Sequence, residues 1–189
     1  MAGVKVTRND QSKRVMDAIA KISRYQVYVG IPQDSADNRK AALRQMAGKI
    51  QNPATKSGRK KLRQIAASLN SKVTNAELMW IQSKGSKLRH IPARPVIEPA
   101  IVAEGNKEAI AAELAGAAKA TLDGKPDVAL VRLKRAGMAG QRASQKWFTD
   151  ARANFKPNAP STIKAKGSDK PLIDQGILRS AITYVVKED

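Results

Sequence analysis

Residues Lys170–Val186 read KPLIDQGILRSAITYVV. Pro171 and Gly176 set a turn, and Asp174 is placed to cap one helical turn carrying Ile177, Leu178 and Ala181. AITYVV then runs out as a β-branched strand. A terminal strand needs a partner, and the best candidate lies at the opposite end of the chain. YQVYVGIP, Tyr25 to Pro32, is a β-branched and aromatic run closed by Gly and Pro. Strands near 25–31 and 182–187 are therefore expected to pair antiparallel. The fold class that follows is α+β: a small antiparallel sheet packed with several α-helices, plus a basic insertion, in a single domain over 1–189.

The helices are read from periodicity and punctuation. Residues 10–23, DQSKRVMDAIAKIS, place Val15, Met16, Ile19 and Ile22 on one face, with Asp10 as a cap. TNAELMWIQSKGS gives a short helix with Thr74 or Asn75 as cap and Gly85 as stop. IPARPVIEPAI, with Pro92, Pro95 and Pro99, is an extended connector, because proline fixes φ and restricts the residue before it. A long Ala-rich helix is expected from near Pro99 to about Leu122, broken by DGKP. A second follows over Asp127–Ala153, interrupted around GMAG. FKPNAPSTIKAKGSDKP is read as a loop.

The 189 residues suit one domain. Two Trp, two Phe and three Tyr leave Ala, Ile, Leu and Val to fill the core. No cysteine is present, so neither disulfides nor thiolate zinc sites can form, which fits a reducing compartment. MAGVKVTRNDQSKR lacks the apolar stretch of a signal peptide. No apolar run approaches the roughly 20 residues that span a bilayer. Synthesis in the cytoplasm and no membrane partner are expected.

The formal charge is +19, from 35 basic and 16 acidic residues. It is unevenly spread. Asn38 to Ala76 holds ten Lys or Arg and no acid; up to Ile97 the count is fourteen basic residues against Glu77 alone. Thirteen of the nineteen net charges thus lie in under a third of the chain. Residues 38–73 are read as a basic, flexible or inserted segment in which Pro53 and Gly58 break any continuous helix. A polyanion is the implied partner class. The candidate DNA-facing residues are Arg39, Lys40, Arg44, Arg59, Lys60, Lys61 and Arg63. Such contacts go to phosphates and carry no sequence information. The segment from Asn38 to Ala76 holds no aromatic residue, which disfavours base stacking and points to duplex DNA.

Groups for catalysis are sparse. His90, the one histidine, has no Cys partner and no second histidine at ligand spacing, and is read as a loop residue beside a basic cluster. The acids are scattered, and there is no phosphate-loop or nucleophile-elbow motif. GMAGQ, Gly137 to Gln141, lacks a preceding strand. No enzyme activity, no metal and no cofactor are expected.

The tail APSTIKAKGSDKPLIDQGILRSAITYVV resembles the end of a family of long-tailed bacteriophage virion proteins described as neck, tail-completion or virion-morphogenesis proteins. In that family a P-x-S-T-I-x-x-K-G loop leads into P-L-I-D-T-G-x-L-R-x-S-I. Here the first is supplied by Pro160, Ser161, Thr162, Ile163, Lys166 and Gly167. The second is supplied by Pro171, Leu172, Ile173, Asp174, Gly176, Leu178, Arg179 and Ser180. NAELMWIQSKGS is similar to the family's N-A-x-x-A-x-x-x-E-x-G, and IPARPVIEPAI to its I-P-x-R-P-F. Gln175 stands in place of the usual Thr, and Val96 in place of the aromatic.

The resemblance implies an α+β subunit of a homo-oligomeric, usually sixfold, ring at the head–tail junction or tail top of the virion. Neighbouring neck, connector and tail-tube proteins would be its partners, with duplex DNA in the lumen. A head-to-tail ring needs two complementary surfaces per subunit. The stiff IPARP arm and the tail motif are the candidates for assembly: Ile91, Pro92, Arg94, Pro95, Leu172, Asp174, Gly176, Leu178 and Arg179. The competing reading is a free, sequence-nonspecific DNA-binding protein.

Overall fold

The computed structural model describes residues 12–32, 36–71, 73–174 and 176–189. The chain runs α1 (Ser12–Ile22), β1 (Tyr25–Gly30), α2 (Ala36–Gly48), α3 (Lys56–Leu69), α4 (Asn75–Lys84), α5 (Ile97–Val102), α6 (Asn106–Leu122) and α7 (Pro126–Trp147). A 3-10 turn (Ala151–Ala153), α8 (Pro160–Lys166), α9 (Ile177–Ser180) and β2 (Thr183–Glu188) complete it. The fold is α+β, with β1 and β2 paired antiparallel from Tyr25 opposite Glu188 to Gly30 opposite Thr183. Both ends of the chain therefore meet in one ladder, as the terminal strand signals require. The Asp10 cap lies outside the described residues.

The sheet lies on α7, and glycine decides how closely. A Cβ on Gly137 would sit 2.3 Å from Tyr184 Cδ2, and one on Gly140 2.8 Å from Val29 Cγ2. The glycines of GMAG do not interrupt the helix, contrary to the sequence expectation: α7 is continuous through them because they are the contact surface for both strands. Gln141 and Gln145 donate from Nε2 to the Ile182 carbonyl at 3.0 and 3.1 Å, satisfying the backbone where β2 begins.

α6 and α7 form an antiparallel hairpin closed by small side chains. Ala117 and Ala120 of α6 and Ala129 and Ala136 of α7 are buried, and Arg132 Nη1 donates to Glu113 Oε2 at 3.0 Å. The Ala-rich helix expected from Pro99 is two helices. Gly105 takes φ +81, a conformation that glycine reaches without steric cost, and the chain turns there between α5 and α6. Asn106 Nδ2 donates to the Ala100 carbonyl at 2.8 Å and fixes the corner.

Three further expectations are corrected. The stretch FKPNAPSTIKAKGSDKP contains α8, which starts at Pro160 and is closed by Gly167. Asp174 does not cap α9; Gly176, at φ +76, precedes it, and no side chain caps that helix. The basic segment folds as α2 and α3. Pro53 lies in the turn between them, but Gly58 is inside α3, where a Cβ would fall 2.1 Å from the Asn52 carbonyl oxygen.

The core gathers distant pieces of sequence. Met79, Val96, Ala100, Trp147, Phe148, Leu178 and Ile182 form one buried cluster. Leu172 and Ile173 pack against it, as do Val29 and Ile31.

Candidate nucleic-acid face and assembly groove

In α3, Gly58 and Ile65 are buried and Leu62 and Leu69 half-buried, so one stripe of the helix faces inward. Arg59, Lys60, Lys61 and Arg63 fall outside that stripe and are exposed. Thr55 Oγ1 accepts from the Gly58 N–H at 3.0 Å and starts the helix, and the Asn70 N–H bonds back to the Ala66 carbonyl at its end. In α2, Leu43 is buried while Lys40 and Arg44 are exposed. Five of the seven predicted DNA-facing cations, Lys40, Arg44, Arg59, Lys61 and Arg63, are thus exposed to solvent, and among the described residues no carboxylate lies within ion-pair distance of them.

The other two have structural partners. Arg39 is half-buried and donates from Nη1 to Asn75 Oδ1 at 3.2 Å, joining α2 to the start of α4; burial lowers its pKa. Lys60 Nζ donates to the Lys164 carbonyl at 3.2 Å, and Gln64 Nε2 to the Ala165 carbonyl at 2.7 Å. These bonds carry the basic surface from α3 onto α8, whose last turn adds Lys164 and Lys166. Sequence reasoning missed that extension because it read α8 as a loop. Its signal was proline at the first helical position with glycine just past the last.

A groove of about 570 Å³ opens between this basic lobe and the rest of the subunit. Arg39 lies on one wall. Ile91, Pro92, Arg94, Leu172, Asp174, Gly176 and Leu178, seven of the nine predicted assembly residues, line it as well. Pro95 and Arg179 stay outside it; both are exposed. The structure also separates the seven by role. Arg94 is 6% exposed: Nε and Nη2 donate to the Lys156 and Pro157 carbonyls, both at 2.9 Å, and Nη1 to Gln82 Oε1 at 3.4 Å. It is a brace between the IPARP connector and the approach to α8, and burial lowers its pKa. Leu178 belongs to the core.

Lys166 stands on the same groove, and its pKa is lowered, chiefly by desolvation, with Asp174 opposing and Arg94 adding to the effect. Its Nζ donates to the Lys170 carbonyl. His90 is exposed at the tip of the turn between Ser86 and Ile91. Among the described residues no three of His, Cys, Asp and Glu are placed to hold a metal ion, and no helix is long and apolar enough to cross a membrane.

Comparison of the chain with protein-family models, with curated proteins and with solved structures gave no match.

Proposed function

We propose that this chain is a structural protein of a tailed-phage virion, a subunit of a ring at the head–tail junction or tail top through which DNA passes. One observation carries the reading. The three sequence pieces that resemble the virion family, separated by up to about a hundred residues, come together as one unit. Met79 from the first, Val96 and Ala100 from the second, and Leu178 and Ile182 from the third share one core. Arg94 of the second is hydrogen-bonded to the carbonyls just before the third. Val96, which replaces the family's aromatic, is 1% exposed at the centre of that core, so the position keeps its packing role.

The exposed cations of α2 and α3 stand to one side of this unit, which is what a lumen lining needs: positive field towards phosphates with no base readout. Concentrated protein should form closed rings with a central opening in electron micrographs, with a matching mass by sedimentation. A protein that forms no ring alone or with its neighbouring virion proteins, and that never enters particles which mature normally without it, overturns the reading. The free DNA-binding alternative would instead show tight binding to bare duplex by the isolated monomer, falling steeply with salt.

A further inference from the structure

The groove that holds most of the predicted assembly residues carries positive charge that its own lining does not balance. Arg39, Arg89, Arg94 and Lys166 stand on it, and among the described residues Asp174 is the one carboxylate that does. None of the four cations is in an ion pair. The bonds that Arg39, Arg94 and Lys166 make end on neutral oxygens, those of the Asn75 and Gln82 amides and of the Lys156, Pro157 and Lys170 carbonyls. Such bonds orient a cation without neutralising it. Burial lowers the pKa of Arg39, Arg94 and Lys166, and the nearby charge of Arg94 lowers that of Lys166 further, against the opposing pull of Asp174. Like charges therefore share a partly desolvated site, where a counter-ion is worth more than in water.

The rest of the lining selects among anions. Leu43, Leu78, Leu172 and Ile177 make part of the groove aliphatic, and no Phe, Tyr or Trp lines it. A nucleic-acid strand would find no ring to stack on and would leave the aliphatic part unfilled. The hydroxyls of Ser68, Ser161 and Thr162 stand on the same walls and make no hydrogen bond among the described residues. An acyl chain with a carboxylate head would leave them unanswered, whereas the N–H and C=O groups of a peptide backbone answer them. The volume, about 570 Å³, is that of a ligand site and holds a few residues of extended chain.

We infer that this groove receives an extended, acidic and aliphatic peptide segment of a neighbouring virion protein. Its carboxylates meet Arg89 and Lys166, with Arg39 and Arg94, held by their amide and carbonyl partners, adding positive field. Its aliphatic side chains fill the part walled by Leu43, Leu78, Leu172 and Ile177. Hydrogen bonds from a cation to a carboxylate are about twice as strong as neutral ones, so the charges give the segment its orientation. That the neighbour is a virion protein rests on the reading above; the chemistry of the segment rests on the groove alone.

The full chain, screened against a library of short peptides built from Asp, Glu, Leu, Val, Ser, Asn and Lys, tests this. Peptides that mix carboxylates with aliphatic residues should be enriched, and exchanging their Asp and Glu for Asn and Gln should weaken binding about tenfold or more in fluorescence polarisation. Arg89→Glu with Lys166→Glu should weaken it as much. Arg59→Glu with Lys61→Glu, the same change of charge away from the groove, should change it by less than about threefold. Asp174→Asn removes the competing carboxylate and should tighten binding about threefold, a gain that a misfolded protein cannot give. The absence of enriched acidic peptides, or equal weakening by the two charge-reversed proteins, overturns the assignment. So does dodecanoate or a short DNA duplex that depends on Arg89 and Lys166 when no peptide does. Each of these leaves the ring reading standing. Rings that never form, with acidic peptides bound as expected, overturn the ring reading and leave the chemistry of the groove.

Discussion

Gly137 of α7 lies under the ring of Tyr184 in β2, so close that a Cβ there would sit 2.3 Å from Cδ2 and 3.1 Å from the Tyr184 Cβ. Gly137→Ala forces the strand away from the helix, at about 1–3 kcal/mol for overpacking, more than the roughly 1 kcal/mol that alanine adds in helix propensity. Gly116→Ala in α6 is the control. Its Cβ meets only the movable Arg132 side chain at 3.4 Å, so it should be neutral or stabilising by up to about 1 kcal/mol. Urea unfolding midpoints with opposite signs for the two variants are the expected result.

Arg94→Met removes a buried cation that serves two backbone carbonyls and Gln82. The loss should be about 2–3 kcal/mol, and Arg94→Lys should recover little of it, since an ammonium cannot reproduce the planar fork. Arg89→Met, at an exposed residue on the same groove, should change stability by no more than about 0.5 kcal/mol. Chemical denaturation of the three variants measures this.

Thr74 and Glu77 cap α4 reciprocally: Thr74 Oγ1 accepts from the Glu77 N–H at 3.1 Å, and Glu77 Oε2 accepts from the Thr74 N–H at 2.8 Å. Thr74→Ala should cost about 1 kcal/mol and Thr74→Ser much less, because serine keeps the acceptor. Thermal unfolding of the pair distinguishes loss of the cap from loss of a methyl group.

Asp150 accepts from Arg152 Nε and Nη2 at 3.0 and 2.8 Å and from the Arg152 N–H at 3.0 Å. These bonds, the side-chain ones first, hold its carboxyl at about 2 instead of 3.8. Because the folded value is the lower one, the stabilisation is complete above pH 3.8 and is lost as pH falls through about 2. Asp150→Asn should lose its dependence on acid in that window, and a carboxyl titration followed by NMR should place Asp150 at the bottom of the acid range.

Arg59, Lys61 and Arg63 face solvent, whereas Lys60 reaches the Lys164 carbonyl. If the first three meet phosphates, replacing each by Gln should reduce the slope of log affinity against log salt on duplex DNA by about 1. Lys60→Gln should affect the slope less and stability more. Equal slopes for all four variants would separate α3 from the DNA.

Much of the fold is legible in the sequence wherever the signal is local. β-branched runs ended by Gly and Pro mark both strands, and Thr74, Glu77 and Gly85 mark both ends of α4. The helix at Pro160 was legible too, but its short span and polar flanks read more readily as a loop. The candidate surfaces divide differently. The charge on α3 follows from composition, and its exposure follows from the inward stripe of Gly58, Leu62, Ile65 and Leu69. That Arg94 would be buried had no local sign, because its hydrogen-bond partners lie 62 and 63 residues away.

By itself the amino-acid sequence determined where strands and most helices lie, how positive the molecule is, and which segment holds that charge. Caps, side-chain period and composition act within a few residues, so they can be read in order along the chain. Only the tertiary structure decided that GMAG continues a helix, and that Trp80 and Met16 remain uncovered while Val96 and Ile182 do not. Each of those outcomes depends on what stands opposite a side chain in space, and for Val96 and Ile182 the opposing groups come from distant parts of the polypeptide.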